Sequence, residues 1–86
     1  MIYQFAYSRN SRPKTAPELD CRLHMSNCFS ISQARSHPNF ETTVKIGIDM
    51  LNAHGSVAVG CHQGRHRSRA VADEISSRTG IEVKRL

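Results

Sequence analysis

From Gly60 to Arg69 the chain reads Gly-Cys-His-Gln-Gly-Arg-His-Arg-Ser-Arg, which gathers a thiol, two imidazoles, three guanidinium groups and a hydroxyl in one short run. Arg65, Arg67 and Arg69 carry fixed positive charge that can fork onto phosphate oxygens, and His62 and His66 can donate hydrogen bonds whether neutral or protonated. Ser68 can cap a helix or add a hydroxyl donor. Gly60, Gln63 and Gly64 complete a loop whose backbone N–H groups are available to the same ligand. The chemistry this set suits is the binding of an anion, and Cys61 adds a nucleophile if its thiol ionises.

The flanking residues say how such a loop is held. Val57, Ala58 and Val59 form a short apolar run of the kind that makes a strand buried on both faces. The segment Arg67 to Thr79 reads as a helix. In the order strand, loop, helix, the loop amides and the unpaired donors of the first helical turn converge, and the helix dipole adds roughly half a positive charge. Neither a Gly-x-x-x-x-Gly-Lys-Ser/Thr loop nor a Gly-x-Gly-x-x-Gly fingerprint occurs, so nucleotide binding of those two kinds is excluded. The bland alternative is a solvated basic helix start beside an ordinary core cysteine.

Two resemblances rest on this stretch. Cys61, Arg67 and Ser68, with Gly64 between them, match the Cys-x5-Arg-Ser/Thr signature of cysteine-dependent protein phosphatases. The fuller run Gly60 to Ser68 resembles the Gly-Cys-Thr-Gly-Gly-x-His-Arg-Ser loop of the RapZ C-terminal domain family, with His62 and Gln63 standing where that family has threonine and glycine. Upstream, Asp20-Cys21-Arg22 and Asn27 resemble the family's Asp-x-Arg element and its nearby asparagine. The RapZ resemblance implies a non-catalytic domain that binds RNA and/or a phosphorylated amino sugar, with Arg22 and Asn27 joining residues 60 to 68 at the ligand. The phosphatase resemblance implies an enzyme with Cys61 as nucleophile and Arg67 as phosphate clamp.

Composition sets the frame for both. Eighty-six residues allow one domain, and a chain of that length buries only about 60 to 65% of the surface its unfolded form exposes. With 38% hydrophobic residues and no tryptophan the core is expected to be thin, so self-association is an expected source of further burial. Twelve lysines and arginines against seven acids give a formal charge of +5, and nine of the twelve are arginine, which favours anionic partners: nucleic acid or phosphorylated metabolites. Cys21, Cys28 and Cys61 match no zinc spacing, so neither a metal nor a cofactor is expected, and a reducing cytoplasm fits three free thiols. No apolar run reaches membrane-spanning length.

Taken in order, Met1 to Ser8 reads as the first strand, and Ser8 to Pro17 as a basic loop whose Arg9, Arg12 and Lys14 could join Arg65 and Arg69 against an RNA backbone. Glu18 to Leu23 reads as a second strand, with Leu19, Cys21 and Leu23 on one face and Asp20 and Arg22 on the other. Met25 to Asn39 is an irregular connection with one helical turn at Ile31 to Ala34. Phe40, Val44, Ile48 and Leu51 recur at helical spacing, capped by Asn39 and ended at Gly55, with Gly47 inside marking a close approach. Ala70, Val71, Ala72 and Ile75 face the core from the last helix, Asp73, Glu74 and Arg78 face outward, Gly80 ends it, and Ile81 to Leu86 forms a final strand. Val57 to Val83 is then a strand-helix-strand unit, which implies a parallel pair with a right-handed crossover. The expected fold is a small single-domain α/β sandwich, with a mixed or mostly parallel sheet of about four strands and a C-terminal strand-loop-helix-strand unit.

The enzyme reading also needs a general acid for the leaving oxygen. The candidates are Asp20 and Asp49, neither in a phosphatase-like context such as Trp-Pro-Asp, and Asp49 is expected on the solvent side of its helix. Binding is therefore the favoured expectation.

Overall fold

Parallel strands need long connections, and the spacing of apolar runs in this chain supplies them. The computed structural model describes residues 1–86. Strands β1 (Ile2–Ala6), β2 (Glu18–Asp20), β3 (Val57–Cys61) and β4 (Val83–Arg85) form one wholly parallel sheet in the order β2-β3-β1-β4. Helices α1 (Ile31–Arg35) and α2 (Phe40–His54) lie between β2 and β3, and α3 (Arg67–Thr79) lies between β3 and β4. The C-terminal unit differs from expectation in one respect: β3 and β4 are parallel, but β1 lies between them and pairs with both.

The core sits between the sheet and the helices. Ile2, Val57, Val59, Cys61 and Leu19 share one cluster with Phe40, Val44 and Leu51 of α2 and with Ala70, Val71, Ala72 and Ile75 of α3. The helical stripe of α2 is as expected, with Ile48 half-buried at its margin, and Gly47 brings α2 against Ile75 of α3 and Leu19 of β2. By strand alternation Tyr3, Phe5, Ala58 and Gly60 point to the opposite face. There Phe5 lies across Gly60, so that a methyl group at position 60 would run into the ring. Packing against Phe5 thus requires glycine at position 60.

Three element ends and one cap depart from the sequence reading, each for a local reason. The last strand, expected over Ile81 to Leu86, is confined to Val83–Arg85, because Ile81 is tied back to α3 through its carbonyl, which accepts from Ser76 Oγ at 2.6 Å. The second strand stops at Asp20 instead of Leu23. The Asp20 carboxylate accepts the Arg22 N–H at 2.9 Å and starts a 3-10 turn over Cys21–Leu23, and such Asx contacts compete with a sheet ladder. Leu23, expected on the inner face, is 79% exposed. The first strand stops at Ala6, because Tyr7–Arg9 form a second 3-10 turn that leaves through a left-handed Asn10. Asn39 precedes α2 without capping it through its side chain; its amide donates instead to the His24 carbonyl at 2.8 Å.

Charge pairing ties the helices on the outside. Arg78 reaches Glu41 of α2 and Glu74 of α3, and Glu74 also receives Arg35 of α1 at 2.7 Å. The Arg78 contact holds the carboxyls of Glu41 and Glu74 below their ordinary range, Arg35 adding to the effect on Glu74. Carboxylates depressed in the folded state contribute stability above their unfolded pKa and lose it as pH falls through the folded value. Thermal unfolding followed from pH 7 to pH 2 should therefore show a midpoint that declines below about pH 4, and less steeply in Arg78→Ala. The pairs are exposed, so the decline should be modest and should shrink in high salt.

Candidate functional site

Parallel strands bring all their carboxyl ends to one edge, and the chain segments that leave them make a crevice there. At this edge β3 delivers Cys61, and residues 62–66 turn back into α3 through Gly64, whose φ of +68° and contact with Ala6 would strain any side chain. Opposite lies the segment after β2. Between the two is a cleft of about 250 Å³ lined by Asn27, Cys28, Phe29, Cys61, His62, Gln63, Arg65, His66 and Arg67.

Both walls are fastened by specific bonds. The Arg67 guanidinium donates to the Met25 carbonyl at 3.0 Å, and His66 donates from Nδ1 to the Cys28 carbonyl at 3.0 Å, which fixes the ring's orientation. From β1, Gln4 donates through Nε2 to both Gly64 O and Ser68 Oγ, each at 2.9 Å. Arg9 donates to the Gln63 carbonyl at 3.2 Å, and Ser8 N–H to His62 O at 2.8 Å. The loop is thus gripped through its carbonyls. Its N–H groups are left over: none of the amides of residues 62 to 67 donates to a protein acceptor.

The electrostatics point the same way. Arg65 and Arg67 line the cleft with His62 and His66, and no carboxylate does. Of the nine arginines, seven donate to a carboxylate or a carbonyl. The remaining two, Arg65 and Arg69, are exposed in and just behind the loop.

Cys61 is 3% exposed, yet it contributes to the cleft wall. Its sulfur lies 3.1 Å from Ser68 Oγ and accepts the Ser68 N–H at 3.4 Å. Ser68 is wholly buried, so its hydroxyl serves Cys61 and Gln4 and offers nothing to a ligand. Burial pushes the Cys21 thiol up, with a smaller push from nearby Cys61, which keeps Cys21 protonated.

Of the residues singled out from sequence, Cys61, His62, Gln63, Arg65, His66, Arg67 and Asn27 meet at the cleft, with Gly60 and Gly64 shaping its loop. Arg22 does not line it. Its guanidinium binds Asp20 at both oxygens, at 2.9 and 2.8 Å, and stacks 3.7 Å from the Tyr7 ring centroid. Burial pushes the Asp20 carboxyl up, but the Arg22 hydrogen bonds outweigh it and hold the group below its ordinary range. Arg12 pairs with Glu18, Lys14 stands exposed without a partner, and Asp49 is exposed on α2 as expected. Three contributors escaped the sequence reading, one of them Cys28, which lines the cleft and whose carbonyl receives His66. Gln4 could have been found as the one polar residue in the apolar run Ile-Tyr-Gln-Phe-Ala, and Phe29 as the one aromatic in a serine-rich connection. Scans against protein-family models, curated proteins and solved structures returned no match for this chain.

Proposed function

We propose that this chain is a non-catalytic anion-binding module that holds the phosphate group of RNA or of a phosphorylated small molecule in the cleft at the 60–68 loop. The observation that carries this reading is the run of unpaired amides at residues 62 to 67, in a cleft that holds Arg65 and Arg67 and no carboxylate. Successive free N–H groups at a helix start form a concavity suited to a tetrahedral oxyanion, and each guanidinium can add a charge-assisted bond. The likeness of Gly60–Ser68 to the RapZ loop supports the same reading.

A second reading, the cysteine phosphatase, is favoured by the Cys61 to Ser68 contact, since a hydroxyl and an N–H at sulfur suit a nucleophile. Against it, Asp20 is held by Arg22 outside the cleft, so no carboxylic acid stands ready to protonate a leaving oxygen. Titration of orthophosphate into labelled protein tests the first reading: the amide resonances of residues 62 to 67 should move and saturate together. An activated aryl phosphate tests the second. No turnover is expected, and robust turnover that vanishes in Cys61→Ser would put the enzyme reading first. For RNA, Lys14, Arg65 and Arg69 are the cations expected from sequence that bond to no protein group, and with Arg67 of the cleft they give four contacts. Affinity should therefore fall with salt at a logarithmic slope of about −3, at about −0.7 each on a single strand.

A further inference from the structure

Outside the phosphate loop, the opposite wall of the cleft carries a different chemistry. Phe29 lines the cleft with 77% of its surface exposed, an unusual position for a phenylalanine in so small a chain. The peptide group that leads into it is bonded at both its polar atoms: Phe29 N–H donates to Gln33 Oε1 at 2.8 Å, and the Cys28 carbonyl receives His66 at 3.0 Å. Beside it Asn27, also exposed and lining the cleft, has a carboxamide that bonds to no protein group. One end of the cleft therefore carries the loop with its unbonded amides and guanidinium groups, and the other an exposed aromatic ring next to a free donor-acceptor pair.

Resting on the phosphate-binding reading, we infer that the ligand is a nucleotide, its phosphate in the 62–67 loop and its base stacked on Phe29 with an edge toward Asn27. A phosphorylated sugar can lay only a small patch of C–H groups on Phe29, whereas every nucleobase offers a full π-face, and stacking on an aromatic side chain tolerates any base. A carboxamide donates and accepts at once, as base edges do. The volume of about 250 Å³ lies just under the roughly 300 to 1,000 Å³ of small-molecule sites, which suits one nucleotide and excludes a duplex.

Calorimetric titration of the full chain with orthophosphate, a hexose 6-phosphate and adenosine monophosphate tests this. Adenosine monophosphate should bind roughly fivefold tighter than the other two, or better, as one stacked base contributes. Phe29→Ala, at an exposed position, should erase that preference, so that adenosine monophosphate and orthophosphate bind the same variant equally. Phe29→Trp should keep it and, in a chain without other tryptophan, report stacking as quenched fluorescence. A 5′-phosphorylated dinucleotide that also binds in a Phe29-dependent way would identify a strand end as the source, and its exclusion a free nucleotide; both support the inference. Equal affinities for all three ligands, or a preference untouched by Phe29→Ala, would overturn it and leave the phosphate site standing. Failure of every ligand at millimolar concentration would remove the phosphate site as well.

Discussion

Gln4→Leu should lower the thermal midpoint and weaken orthophosphate binding together, although residue 4 touches no ligand. Gln4 is 3% exposed, and its amide is the donor to both Gly64 O and Ser68 Oγ. Leucine fills similar space but donates nothing, and a buried group left without its partner costs about 1 to 3 kcal/mol. In a domain of this size that corresponds to a fall of roughly 4 to 8 °C per kcal/mol. With Gly64 released, the loop amides lose their fixed direction, and anion affinity should drop about tenfold or more. Gln4→Glu sharpens the test, because it keeps the shape, accepts where donors are required and sets a negative charge beneath the anion. It should bind more weakly than the leucine variant. Unchanged midpoints and affinities in both variants would show that the loop holds itself without β1.

Arg67→Ala is expected to have the largest effect on binding alone. The guanidinium spends one of its five N–H donors on the Met25 carbonyl, which leaves the others for an oxyanion in the cleft it lines. A hydrogen bond to a charged group is worth about 1.5 to 3 kcal/mol, so orthophosphate affinity should fall roughly 10- to 150-fold. Removing Arg67 leaves the Met25 carbonyl without that donor, but Met25 stays buried in the core and bonded through its N–H to the Cys21 carbonyl. Arg69→Ala is the matched comparison, since Arg69 follows on the same helix, is exposed and lies outside the cleft. Its loss should change affinity by less than about threefold at physiological salt, where exposed charges are screened. Equal losses in the two variants would mean that general positive charge, rather than a built site, attracts the anion.

Much of this site was readable because its signals are local. The run Val57 to Val59 reads as a buried strand, Gly55 and Gly80 end the helices that precede and follow it, and the loop of glycine, histidine and arginine lies between strand and helix in sequence as it does in space. What could not be read depends on distant partners. Nothing near Arg9 tells that it will turn to Gln63, or near Arg12 that Glu18 will hold it, so both looked available to RNA. The alternation of Glu18 to Leu23 suits a strand equally well past Asp20, until a carboxylate two residues from a backbone N–H diverts the chain. The place of β1 between β3 and β4 is likewise a property of the assembled sheet.

That placement governs how the molecule comes into being. β1 precedes every other strand in the chain, yet its two neighbours are β3 and β4, the two strands furthest from it in sequence. The bonds from Gln4 that shape the loop join residues 60 and 64 positions apart. Pairings so distant in sequence make folding slow, because the intervening chain must be closed before any contact repays its entropy. A nascent chain stalled before β4 would leave one side of β1 unpaired and exposed to other chains, the condition under which partly made sheets aggregate. Removing Val83–Arg85 should therefore cost more than one strand, because it strips a whole edge from β1, the strand whose Gln4 holds the 62–66 loop.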